Sequence, residues 1–253
     1  MNSGLFAAGL VELGVGAIYA LVGARLGRRR VLGPAALASY QFTIWWYGLS
    51  LSSAISGLES GLIAFQSLSF PAALTLYLLT LLIDCALLWG LVGYLSYIYT
   101  GRSLLFPLSA FYAALYVVAL FYVIQQGPNG VRVVSGIPTI VYAGMPNPIL
   151  QAFIIVGIIV PEFGGTLLYL SLLRKARDPT QRYRIKLVGF GILLWLGSAL
   201  VVSPSNAVDP VVWTIARTLL EALAAIIVLL AYLPTAAIQR RWGVHPIEAG
   251  DSG

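Results

Sequence analysis

Charge is scarce in this chain. Asp, Glu, Lys and Arg together supply 9% of its 253 residues, against roughly 25% in soluble domains. So few charges cannot cover the surface of a water-soluble globule, which excludes a soluble enzyme. Histidine occurs once, as His245 in the C-terminal tail. Bis-histidine haem and the common His-based zinc, copper and iron sites are thereby excluded. Cys85 is the one cysteine, so neither an intrachain disulfide nor a cysteine cluster can form. The two lysines, Lys175 and Lys186, fall in one polar loop. None is left for the interior of a membrane span, which excludes a covalent retinal Schiff base.

Apolar residues are abundant: 59% of the chain is hydrophobic, and the mean hydropathy is +0.90. This is the composition of an integral membrane protein. A helix crosses about 30 Å of hydrocarbon with about 20 apolar residues. Seven stretches qualify, at 4–24, 31–56, 69–99, 104–126, 149–173, 184–204 and 210–237. In lipid only helices and closed barrels satisfy every backbone group, and long apolar runs without alternation select helices. The expected fold is all-α: a polytopic bundle of seven transmembrane helices over residues 1–239, followed by a short tail at 240–253. The third span exceeds the need and is expected to tilt or project beyond the bilayer. The first has no basic stretch before it, so it reads as an uncleaved helix and not as a signal peptide.

Basic residues set the orientation. Arg25, Arg28, Arg29 and Arg30 follow the first span, and Arg102 follows the third. Arg174, Lys175, Arg177, Arg182, Arg184 and Lys186 follow the fifth, and Arg240 and Arg241 the seventh. Thirteen of the 15 basic residues thus share one side, which places the N-terminus outside and the C-terminus inside. The expected location is the cell membrane, multi-pass. The expected partners are the lipid bilayer and anionic lipid head groups at the inside face. The net charge of +6 reflects this asymmetry and does not point to nucleic acid.

One connection is long. Between residues 127 and 148 the β-branched runs Val131–Val134 and Thr139–Tyr142 flank a Gly/Pro-containing turn, the pattern of a hairpin. It is either a lid over the outer mouth or a stable connector.

Ionisable residues inside spans are costly and usually face a bundle interior. Five are candidates: Glu12, Asp84, Glu162, Arg217 and Glu221. Arg217 and Glu221 stand four apart on the last span and so share a face. They form either a self-neutralised pair or a gate or binding pair. Tyr77, Thr80 and Asp84 make a polar stripe on the third span, read as an interhelix anchor or a proton relay. Glu162 follows Pro161 and precedes Gly164 and Gly165, so it sits at an expected kink. Glu12 ranks last, as a side chain that reaches the outer interface. On the second span Gln41, Thr43, Trp45, Trp46, Tyr47 and Ser50 lie deep for an interfacial belt, as a pocket lining or as core. Gly14, Gly16, Gly189, Gly191 and Gly197 read as points of close helix packing.

Seven helices with an outside N-terminus resemble the microbial (type 1) rhodopsins. The string from Gly14 to Val22 is similar to that family's first helix, and Leu81–Leu88 to its third-helix segment around the proton-donor carboxylate. The resemblance implies that Asp84 takes the donor position. It lays the retinal-lysine position on Glu221 and a counterion position on Arg217. The lysine itself is missing, and the family's third-helix arginine and aspartate fall on Phe70 and Ala73. The long connection follows the fourth helix, not the second. What is implied is a rhodopsin-like arrangement without covalent retinal. The stretch from Tyr94 to Arg102 also resembles seven-helix sensor regions fused to bacterial histidine kinases.

The functional expectation is a receptor-like or sensory module, not an enzyme. It would bind an apolar or amphipathic, lipid-like ligand without covalent attachment and signal through a separate membrane or cytosolic partner. Asp84, Glu162, Arg217, Glu221, Tyr77, Thr80, Gln41 and Trp45 are its candidate pocket or proton-pathway residues. A proton or ion transporter and an accessory subunit of a membrane complex are the alternatives. A homo-oligomer is compatible with each.

Overall fold

A computed structural model describes all residues except 1, 29–34, 103, 135–136, 144–147, 149–151, 153–154, 202–209 and 246–253. The described chain is predominantly helical. Helix α1 is Ser3–Gly27, α2 Ala35–Ala64, α3 Phe70–Thr100 and α4 Leu105–Gln125. A β-hairpin follows, β1 Pro128–Val134 and β2 Ile137–Tyr142. After it come a π-helical turn Ile155–Ile159, α5 Val160–Ser171 and a 3-10 turn Leu172–Arg174. The chain continues through α6 Pro179–Val201, α7 Pro210–Tyr232 and the short α8 Ala236–Trp242.

Local chemistry explains the boundaries. Asn2 caps α1, its Oδ1 accepting from the Gly4 and Leu5 amides at 3.1 and 3.2 Å. Ser69 caps α3 ahead of Pro71, and Gly101 ends that helix at φ 68°. The π-helical turn lies directly before Pro161. Proline has no N–H to donate and crowds the carbonyl one turn back, so the preceding turn widens.

Five helical segments are long and apolar enough to cross a membrane by length and composition. They are α1, α3, α4, the run Ile155–Arg174 and Thr214–Tyr232 of α7. Helices α2 and α6 have the length, 30 and 23 residues, but not the same apolarity among the described residues. On α2 the polar side chains Gln41, Thr43, Ser53 and Ser60 are buried, so protein rather than lipid surrounds them.

Several boundaries differ from the sequence expectation. Helix α2 continues to Ala64, beyond the expected end at 56, and so carries Glu59 and Ser60. Helix α6 starts at Pro179, where Asp178 accepts from the Gln181 amide at 2.8 Å. This capping makes Arg182, Arg184 and Lys186 helical rather than parts of a loop. The last long helix ends at Tyr232 instead of 237, because Pro234 interrupts it before Thr235 caps α8.

Helix α2 packs between α1 and α3, and α7 packs against both α1 and α6. Close glycine contacts set the first crossing. A Cβ on Gly9 would lie 2.7 Å from the Gly57 carbonyl oxygen, and one on Gly57 2.8 Å from that of Gly9. Gly16, Gly189 and Gly191 also face neighbouring helices, whereas Gly14 and Gly197 have open space where a side chain would go. The core centres on Trp45 and Trp46, which contact Phe42, Tyr169, Tyr19 and Tyr232. Tyr47 instead faces outward, 41% exposed.

The strands pair antiparallel, with Val131 opposite Ile140 and a bulge at Pro128/Gly130. The hairpin folds back on α2 and α3. Along β2, Pro138 and Ile140 are buried while Thr139 and Val141 are exposed, the period-two pattern of a strand covering a packed surface.

Candidate functional site

Glu12 is fully buried, which corrects its expected place at the outer interface. Nine residues into α1, it lies roughly 14 Å along the axis at 1.5 Å per residue. Its carboxylate receives the Arg217 guanidinium of α7 in an ion pair. Ser60 Oγ of α2 donates to Glu12 Oε2 at 3.0 Å. Thr218 Oγ1 reaches Glu12 Oε1 at 3.5 Å. Arg217 Nε also stands 3.6 Å from Glu221 Oε1 one turn further along α7. Glu221 in turn accepts from Ser198 Oγ of α6 at 3.2 Å. One guanidinium therefore ties α1 to α7, and the carboxylates at its two ends extend the network to α2 and α6.

Arg217 has a second environment. It helps line a cavity of about 380 Å³ between α2, α3, α7 and the hairpin. Glu59, Tyr77, Thr80 and Tyr142 are among the other polar groups on its walls. The β2 residues Pro138, Thr139, Ile140 and Tyr142 form its cover. Burial, with Tyr77 beside it, raises the Tyr142 phenol well above its ordinary value. That phenol remains a neutral hydrogen-bond donor across the physiological range. The volume falls within the roughly 300–1,000 Å³ usual for small-molecule sites.

The expected site residues divide into groups. Arg217 and Glu221 meet in the ion network, and Tyr77 and Thr80 lie on the cavity wall. Asp84 and Glu162, on α3 and α5, are half-buried. They do not join the Arg217 network. Gln41 packs against Gly90 and Gly93 of α3, and Trp45 belongs to the aromatic core. Neither lines the cavity.

A scan against protein-family models, a search of curated proteins and a search of solved structures each found no match. Among the described residues, no group of three or more His, Cys, Asp or Glu side chains is placed to hold a metal ion.

Sequence reasoning missed Glu59, Ser60, Ser198, Thr218 and Tyr142. A legible signal existed for two of them. Ser56, Glu59 and Ser60 continue the helical face of Ser52 and Ser53, so the second helix could have been extended by its periodicity. Tyr142, Ser198 and Thr218 matter only through contacts with distant segments.

Proposed function

We propose that this chain is a receptor-like membrane module whose seven long helices all cross the bilayer, with the N-terminus outside. A small amphipathic ligand enters the hairpin-covered cavity and places a hydrogen-bonding or anionic group against Arg217. One observation carries the reading: Arg217 is both a wall of that cavity and the hub of the buried network among α1, α2, α6 and α7. A ligand shifts an equilibrium only through different interactions with its two states. Competition with Glu12 and Glu221 for one guanidinium supplies that difference. The ligand-bound state loosens α1 from α7, and a separate membrane or cytosolic partner reads the displacement.

Mass spectrometry of small molecules retained by the purified protein tests this. A bound molecule should be retained by the wild type and lost when Ser56→Trp fills the cavity. Spin labels on α1 and α7 should move apart when that molecule is added back. Retention unaffected by Ser56→Trp, or an unchanged α1–α7 distance on ligand addition, contradicts the reading.

A transporter is the second reading, favoured by one observation. Beyond Glu221 towards the opposite end stand Tyr19 and Trp46, whose buried Oη and Nε1 have no hydrogen-bond partner among the described residues. Bridging waters at such groups would form a proton path. Liposomes carrying an internal pH dye should then lose flux in Glu12→Gln/Glu221→Gln. Flux equal to the wild type would end this reading.

A further inference from the structure

A second cavity, of about 450 Å³, opens at the opposite end of the bundle from the hairpin. The ends of α1, α3, α5 and α7 and the starts of α2 and α6 converge around it. Its inner wall is aromatic. Phe42 stacks on Tyr94 with ring centroids 4.4 Å apart, and Tyr169 lies parallel to Phe42 at 6.2 Å. Lys175 and Arg184 stand among its lining residues, and among the described residues no acidic side chain does. The Lys175 Nζ sits 4.2 Å over the Tyr99 ring. Arg184 donates to the His245 carbonyl at 2.8 Å, which brings His245 to this end. Asp178, the acid nearest in sequence to Lys175, is engaged in capping α6.

We infer that this cavity binds one anionic phospholipid. The phosphate pairs with Lys175 and Arg184, and an acyl chain enters along Phe42, Tyr94 and Tyr169. Charge complementarity selects the headgroup. An apolar wall continuous with a cationic mouth selects an amphiphile over a free anion. The aromatic side chains present flat apolar faces, and the tyrosines add hydroxyls. The inference is independent of the hairpin cavity, which lies on other residues.

The test uses the whole protein in detergent with equal amounts of phosphatidylglycerol and phosphatidylcholine of identical chains. Retained lipid is counted by native mass spectrometry. Phosphatidylglycerol should be preferred by about fivefold for each of the two basic residues. Lys175→Glu, at an exposed position, should remove most of the preference. Ser39→Phe, which narrows the cavity, should lower retention of both lipids. Arg240→Glu/Arg241→Glu on α8, outside the cavity, should leave the preference intact.

Equal retention of the two lipids overturns the inference. So does an α8 variant that acts as strongly as Lys175→Glu, because the attraction would then belong to the basic surface at large. Displacement of the lipid by glycerol 3-phosphate would make the ligand a free phosphate ester and overturn the lipid assignment. Should Ser39→Phe fail to fold, Lys175→Glu carries the test alone.

Discussion

At the residue scale, Arg217 carries the heaviest constraint. Its guanidinium faces Glu12 on one side and Glu221 on the other, and all three side chains are buried. Removing one partner of a buried ion pair leaves an uncompensated charge, at a cost of about 3–5 kcal/mol. Arg217→Met should therefore lower the thermal unfolding midpoint sharply in detergent, and adding Glu12→Gln should recover part of the loss. A double variant no more stable than Arg217→Met would show that Glu12 is not the group left unpaired. Arg217→Lys should behave as a partial loss, since an ammonium lacks the fork that reaches two carboxylates at once. The i, i+4 spacing of Arg217 and Glu221 was legible in the sequence. The larger partner, Glu12, was not, because 205 residues separate it from Arg217.

At the element scale, the α1–α2 crossing controls the network. Gly9 and Gly57 meet three residues before Glu12 and Ser60 on their respective helices. Gly9→Val pushes backbone against backbone, and overpacking of this kind typically costs about 1–3 kcal/mol. The separation should also break the Ser60–Glu12 hydrogen bond. Ser60→Ala should then have less effect in the Gly9→Val background than in the wild type, as read by unfolding midpoints.

The hairpin is the second controlling element. Its β-branched runs and turn residues announced two strands, but period-two patterning says nothing about what the strands cover. In a Cys85→Ser background, Thr80→Cys should react slowly with a membrane-impermeant thiol reagent. Truncating the cover with Tyr142→Ala should accelerate that labelling. Equal rates would mean that the hairpin does not limit access to the cavity.

At the scale of the whole molecule, basic residues gather at one end and the hairpin lies at the other. The proposed seven crossings with the N-terminus outside make a definite labelling pattern. In the Cys85→Ser background, Ser3→Cys and Thr139→Cys should react from outside intact cells. Ala176→Cys and Trp242→Cys should react only after the membrane is opened. Reaction of Ser3→Cys and Ala176→Cys from the same face would refute an odd number of crossings between them and the proposed orientation with it.

Composition and hydrophobic run length by themselves determined the class of this protein: a helical chain with several segments suited to lipid. These quantities are local, and every backbone group of a lipid-facing helix must be satisfied within its own segment. The charge asymmetry along the chain and the strand pattern near residues 127–148 were local as well. Only the tertiary structure decided which buried charges meet. It joined Glu12 to Arg217, left Asp84 and Glu162 apart from them, and made α2 a helix with a buried polar face. The energy of a buried charge depends on partners a few ångströms away in space, and a one-dimensional order of residues does not contain that distance.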